Sequence, residues 1–256
     1  MILRGKLFIS TVSVHRSDEI RNIFGPLGAS VVDFPMTECI ASDHTPEIQN
    51  AIWQIEKFHW IIFTSANGVR HFYRLLNETG KISKIPSNVK IAVIGVKTAL
   101  ELENADRKAD YTGSDNTAEN MATDLLGKES LANLNILLPL GNLAPDTLQA
   151  RLSKIADVTR IDVYNTVKPL VTDNEPVEWI KNNLYDLVLF TSPSGVINFA
   201  DTVGPEYINP ELRVASIGKV TTRAAERYGL TCMITAQTST YEGLADEIIN
   251  YYKLKN

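Results

Sequence analysis

The sequence predicts an α/β protein built from two doubly wound parallel sheets, and three observations lead there. Short apolar runs alternate with stretches of helical period along the chain, the pattern of repeated β-α units. Runs such as Leu187–Phe190 are apolar at every position, as central strands covered on both faces must be. The chain also repeats itself. Trp60-Ile61-Ile62-Phe63-Thr64-Ser65-Ala66-Asn67-Gly68-Val69 returns as Leu187-Val188-Leu189-Phe190-Thr191-Ser192-Pro193-Ser194-Gly195-Val196. Ile91-Ala92-Val93-Ile94-Gly95-Val96-Lys97-Thr98-Ala99 returns as Val214-Ala215-Ser216-Ile217-Gly218-Lys219-Val220-Thr221-Thr222, in the same order and at nearly the same separation. Two such echoes imply two lobes of related architecture, and a cleft between like lobes is a favoured place for a ligand.

The elements follow in order. Leu7–Thr11 is an apolar run and the first strand, and Asp18–Leu27 has a helical apolar period. Ser30–Phe34 is the next strand, and Pro46–Lys57 a helix. Trp60–Thr64 leads into the helix Gly68–Thr79, and Lys90–Ile94 into Thr98–Asn104. A helix is expected at Ala118–Leu126, then a strand at Ile136–Pro139, a helix at Pro145–Ile155 and a strand at Val158–Tyr164. Val177–Asn183 is helical, Leu187–Thr191 a strand, and Gly195–Val203 a helix. The strand Val214–Ile217, the helix Thr221–Tyr228, the strand Thr231–Thr235 and the helix Glu242–Tyr252 complete the chain.

A third repeated unit rearranges the domains. Leu134–Tyr164 runs strand, loop, helix, strand, and so does Lys6–Phe34. The first follows the paired motifs of its lobe and the second precedes everything. If both lobes share one fold, residues 1–36 complete the C-terminal lobe at 170–256, and 41–163 is a second domain inserted into it. Linkers at 37–40 and 164–169 would cross between them and could pair as a two-stranded hinge. The fold expected is therefore two flavodoxin-like, doubly wound domains.

Composition narrows the function. At 256 residues with 44 % hydrophobic and 21 % charged positions, the chain has an ordinary globular balance. No apolar run approaches the roughly 20 residues of a membrane helix. The segment Met1–Leu7 lacks the apolar core of a signal peptide. Cys39 and Cys232 have no metal or disulfide spacing, so the expected compartment is the reducing cytoplasm. A net charge of −5 argues against general nucleic-acid binding. The four histidines (His15, His44, His59, His71) form no ligand pair, so no metal is expected. No G-x-S-x-G elbow, H-E-x-x-H, G-x-G-x-x-G or Walker loop occurs, so no standard triad or nucleotide loop is advertised.

The repeated F-T-S-x-x-G-V puts Thr64, Ser65 and Asn67 in one lobe, and Thr191, Ser192 and Ser194 in the other, where a strand gives way to a helix. Serine and threonine there cap free amides, and the helix start favours an anion. Capping alone is the plain alternative. Two copies at strand carboxyl ends favour a ligand site. Thr98 and Thr221 follow the repeated glycines, while Lys219 and Arg16 are candidates to meet carboxylates, against the alternative of a solvated surface. Tyr164 enters the expected hinge; its hydroxyl either packs an interface or donates a hydrogen bond to a leaving group.

Together these segments resemble the uroporphyrinogen-III synthase family. The matching residues are Phe63–Val69, Phe190–Val196, Ile94–Ala99, Ile217–Thr222, Tyr164–Thr166 and Thr240-Tyr241-Glu242-Gly243-Leu244, spread over almost the whole chain. The resemblance implies a cofactor-free lyase of tetrapyrrole biosynthesis acting in the inter-domain cleft. Its substrate is hydroxymethylbilane, a linear polycarboxylate of four pyrroles, which loses water and closes through a spiro intermediate with ring D inverted. It also implies that Tyr164 assists departure of the hydroxyl, that Thr64, Ser65, Asn67, Thr191, Ser192 and Ser194 line the cleft, and that Thr221 is the threonine after the second glycine. Thr11-Val12, Val220 and Gly141-Asn142 depart from the family's usual Thr-Arg, threonine and arginine. The expected oligomeric state is a monomer. Two other classes stay open: a cytosolic two-lobed anion-binding protein, and a flavodoxin-like nucleotide-dependent transferase.

Overall fold

The structure, a computed structural model, describes residues 1–80, 84–113, 132–170 and 175–255. The chain divides into two compact units, Met1–Glu38 with Val167–Asn256, and Cys39–Thr166.

The first unit is a five-stranded sheet of β1 (Leu7–Ser10), β2 (Ser30–Asp33), β9 (Leu187–Phe190), β10 (Val214–Ser216) and β11 (Cys232–Thr235). Its order is β2-β1-β9-β10-β11, with every neighbouring pair parallel. Parallel neighbours need crossovers, and helices supply them here. They are α1 (Ser17–Phe24), α6 (Glu175–Lys181), α7 (Pro193–Val203), α8 (Lys219–Arg227) and α9 (Tyr241–Lys255). Side chains alternate across the strands, so the apolar runs feed two cores. Phe8, Leu187 and Leu189 pack with Ile20, Phe24, Leu244 and Ile248. On the opposite side Ile9, Val188 and Phe190 pack with Phe34, Val196 and Phe199. Edge-to-face rings lock both layers: Phe8 on Phe24 at 5.3 Å, and Phe190 on Phe199 at 5.1 Å.

The second unit holds β3 (Glu38–Ala41), β4 (Trp60–Phe63), β5 (Lys90–Ile94), β6 (Tyr111–Gly113), β7 (Asn135–Gly141) and β8 (Asp157–Val167). Its helices are α2 (Pro46–Trp53), α3 (Ala66–Thr79), α4 (Val96–Asn104) and α5 (Thr147–Leu152). The sheet order is β3-β8-β7-β4-β5-β6. Without β3 it reads β8-β7-β4-β5-β6, strand for strand the arrangement of the first unit, with β7-α5-β8 in the place of β1-α1-β2. Ile61, Phe63, Ile91 and Val93 pack under Val69, Phe72 and Leu76, while Trp60, Ile62, Ile136 and Leu138 pack with Leu148 and Leu152. Both sheets are thus doubly wound, as the continuous apolar strands required. β3 adds to β8 at the edge, where the expected two-stranded pairing forms. Ser42 N–H donates to the Val163 carbonyl, and Cys39, three residues earlier, lies against Thr166, so this pair runs antiparallel.

Several boundaries differ from expectation for local reasons. α3 and α7 begin at Ala66 and Pro193, ahead of the expected Gly68 and Gly195, because Ser65 and Ser192 are the caps. α4 and α8 likewise begin directly after Gly95 and Gly218. The expected helices Asp18–Leu27 and Pro46–Lys57 close early, at Phe24 and Trp53, and finish as 3₁₀ turns; Pro26 sits inside the first of these. α5 is shorter than expected, and β7 and β8 are longer. β6 was not expected, since Tyr-Thr-Gly carries no apolar run; pairing on β5 (Ala92 with Tyr111) makes it a strand. The expected helix Ala118–Leu126 lies outside the described residues. Among the described residues no helix is long and apolar enough to cross a membrane.

Burial pushes the hydroxyls of Tyr73, Tyr241 and Tyr252 up to about 12. An unfolded chain ionises tyrosine near pH 10. The folded values are raised, so the stability they contribute is complete below about pH 10 and is lost as pH climbs towards 12. Denaturant melts at stepped pH, read with tyrosinate absorbance, should show the midpoint falling over that window; a flat midpoint would contradict the burial.

Candidate active site

In the second unit β4 leaves its core as Phe63-Thr64-Ser65 and the chain turns directly into α3. Ser65 has an extended backbone, and its hydroxyl accepts the Gly68 N–H at 3.1 Å, which caps the helix. Gly68 is itself constrained, because a Cβ there would stand 3.0 Å from the Pro139 carbonyl oxygen. Thr64, Ser65 and Asn67 are each half-buried at this turn. Asn67 donates to Cys39 Sγ at 3.2 Å and accepts from Arg70, whose guanidinium grips both carboxylate oxygens of Glu101 at 3.1 and 2.8 Å. Cys39, on β3, was not expected near this turn.

Tyr164 reaches the same turn from β8, its hydroxyl 3.4 Å from Ser65 Oγ. β7 and β8 pair with Gly141 opposite Tyr164, after an irregularity in register at Leu140–Gly141. The tyrosine ring lies on the bare backbone of Gly141. A Cβ at that position would fall 2.5 Å from a ring carbon and 2.7 Å from the hydroxyl oxygen. The imidazole of His71 stacks on the Tyr164 ring, with centroids 5.4 Å apart and planes inclined by 26°. Asn142 steadies the strand from below: its amide donates to the Tyr164 carbonyl at 3.1 Å, and its side-chain oxygen accepts from the Thr166 N–H at 2.9 Å. Burial pushes the Tyr164 hydroxyl above the ordinary phenol range, the hydrogen bond with Ser65 draws it back, and the charges of Cys39 and Asp162 add to the rise. The phenol is therefore a protonated donor through the neutral range.

In the first unit β9 ends in the same way. Ser192 Oγ accepts the Gly195 N–H at 3.0 Å and lies 3.2 Å from Ser194 Oγ. Thr11, at the end of β1, lies against this turn: its hydroxyl donates to the Leu189 carbonyl at 2.8 Å, and a Cβ on Gly195 would meet it at 3.4 Å. The next residue, Val12, is buried, and Arg16 pairs with Glu19 at 3.0 Å and lies over the Tyr241 ring. The second pair of loops differs from the first in its backbone. Gly95 takes a left-handed φ of 75°, which favours glycine, whereas Gly218 is extended and held close by Ser239. Thr98 and Thr221 are both buried in the first turns of α4 and α8. Lys219 is exposed at the first position of α8. A network missed from sequence fixes this loop: Thr222 Oγ1 meets Ser216 Oγ at 2.5 Å and Thr235 Oγ1 at 2.8 Å.

Thr64, Ser65, Asn67 and Tyr164 are thus gathered at one end of the second sheet, and Thr191, Ser192 and Ser194 at one end of the first. Cys39, His71 and Gly141 join the former set without any signal in local sequence. Their link to Tyr164 exists only through strand register and helix phase. Chemically, each end offers hydroxyls and helix-start amides, groups able to donate hydrogen bonds to an anion.

The family model described as Uroporphyrinogen-III synthase HemD matches residues 18–246. A porphyrin biosynthesis protein HemD of Ruminiclostridium josui is 24 % identical over 87 % of this chain, which spans 44 % of that relative's length. The uroporphyrinogen-III synthase of Synechococcus elongatus is 27 % identical over 94 % of both chains. Among solved structures, the uroporphyrinogen-III synthetase of Helicobacter pylori shares the fold with a TM-score of 0.65, at 18 % identity over 96 % of this chain and 99 % of that one.

Two substitutions test the local geometry. Gly141→Ala must displace the Tyr164 ring, and overpacking of this kind costs about 1–3 kcal/mol in a urea melt. Unchanged stability would mean the ring does not rest on that backbone. Ser65→Ala and Ser192→Ala should each lower stability by about 1 kcal/mol, while the glycine variants lose only a few tenths. Equal losses for alanine and glycine would remove capping as the cause.

Proposed function

Because the chain belongs to the uroporphyrinogen-III synthase family, whose enzymes serve porphyrin biosynthesis, we propose that it cyclises hydroxymethylbilane to uroporphyrinogen III. In this reading it is a lyase. The terminal hydroxyl leaves as water, generating an azafulvene. The substituted carbon of ring D attacks the azafulvene carbon to form a spiro intermediate. One bond of that intermediate breaks, and ring closure follows with ring D reversed.

The observation that carries the proposal is Tyr164, a buried phenol beside Ser65 at the start of α3. A phenol held protonated can donate its proton to a departing hydroxyl, and Ser65 is within reach to share the charge that develops. The substrate's acetates and propionates would be taken by amides and hydroxyls at the repeated turns of both units: Thr64, Ser65 and Asn67 in one, Thr191, Ser192 and Ser194 in the other. Lys219 and Arg16 would supplement them, with the Arg16–Glu19 pair opening for the purpose. Pyrroles are electron-rich and react without covalent help, so most of the rate would come from holding the chain folded with its reacting carbons together. That mechanism calls for neutral donors spread along a polyanion, which agrees with a net charge of −5 on the protein.

The test supplies freshly made hydroxymethylbilane, oxidises the products and separates the porphyrin isomers. Spontaneous closure gives the symmetric type I isomer, so type III in excess is the expected result, and type I alone would overturn the proposal. Tyr164→Phe should retain the fold and slow type III formation by roughly 100-fold, the low end for general acid catalysis. Turnover at the parent rate would remove Tyr164 from the mechanism.

A further inference from the structure

We propose that His71 is a positioning residue for Tyr164, its stacked imidazole fixing the phenol ring so that the hydroxyl stays at the start of α3. The inference rests on the role proposed for Tyr164 above. Gly141 and Ser65 constrain the ring only in part. Gly141 gives the ring a place to lie, but a glycine has no side chain with which to stop it turning. The Ser65 contact, at 3.4 Å, is longer than the 2.5–3.0 Å of a well-formed bond between hydroxyls, so it steers the ring weakly. Rotation about the first side-chain torsion of the tyrosine would swing its ring off the His71 face and carry its hydroxyl away from Ser65. The flat surface of His71, inclined by only 26° at 5.4 Å, adds a constraint to the core packing of the ring.

α3 is suited to this task. Ser65 caps it, Asn67 and His71 share a face one turn apart, and Asn67 reaches Cys39 on β3, the strand paired with β8. One helix therefore supplies the hydroxyl that Tyr164 meets and the ring on which it stacks. The same helix packs its buried Val69, Phe72, Leu75 and Leu76 into the core, so its position is set independently of the site. His71 meets Tyr164 ring to ring. It acts through the ring, and its proper replacement is another flat side chain.

Offset ring pairs contribute enough beyond their buried area to change a rate roughly threefold to tenfold when one is removed. His71→Leu fills the space without a flat surface and should lower kcat for type III formation by that factor, with KM within about twofold of the parent. His71→Phe keeps a flat surface and should restore kcat to within about twofold. In a Tyr164→Phe background, where no hydroxyl remains to be aimed, His71→Leu should cost no further rate, as coupled residues require. Undiminished kcat in His71→Leu, failure of His71→Phe to restore it, or an equal further loss in the Tyr164→Phe background would each overturn the inference while leaving the cyclisation itself intact. Parent protein that gives only type I overturns both.

Discussion

In each sheet a fully buried strand leaves the core as Phe-Thr-Ser, and the serine hydroxyl takes the amide of the glycine three residues on. That one hydrogen bond satisfies a donor at a helix start that would otherwise face the site bare. It also fixes the direction in which the helix departs, and with it the placement of everything the helix carries. The phenylalanine before it anchors the turn from inside: Phe63 packs on Phe72 at 5.5 Å, and Phe190 on Phe199 at 5.1 Å, each contact joining strand to following helix. Strand and helix are therefore held at two points, the cap and the ring contact. Free amides gather at the carboxyl ends of parallel strands because every β-α connection of this hand leaves them there.

Upon this shared scaffold the two units diverge. The first keeps a cluster of hydroxyls, with Thr11 against Gly195 and Thr222 bridging Ser216 and Thr235. The second brings in an aromatic acid. Tyr164 has a raised pKa because its hydroxyl is buried, with only a long contact to Ser65 opposing the rise. A cation beside the phenol would have done the reverse and made it a poorer store of a proton. Arg160 is paired with Asp162 and Asp146, at 2.8 and 2.6 Å, and donates to the Gly141 carbonyl at 3.3 Å. Hydroxyl and amide donors thus stand at the turns, and a protonated phenol at the strand end.

Much of this was legible in the residues. Unbroken apolar strands announced sheets covered on both faces, and the doubled Phe-Thr-Ser announced two like folds. The likeness of Leu134–Tyr164 to Lys6–Phe34 announced strands standing in corresponding places, and the sheet orders have that form. Helix starts were misplaced by two residues because Gly68 and Gly195 look like openings, while the serines ahead of them do the capping. β6 was invisible, since three residues on a sheet edge owe their conformation to a neighbour. Gly141-Asn142 read as a missing arginine. In the structure it is a seat for Tyr164, and a glycine's use depends on what comes to lie over it.

The sequence by itself determined the fold class, the two capped turns and the candidate tyrosine. Each of these is encoded locally, by hydrophobic period, by a serine three residues before a glycine, and by a repeated order of motifs. The tertiary structure alone decided what surrounds that tyrosine: a strand register that sets Gly141 beneath it, a helix phase that stacks His71 on it, and an added edge strand that brings Cys39 and Asn67 together. These partners lie far apart along the chain, and side-chain contacts between distant segments are set by packing of whole elements, which no local pattern records.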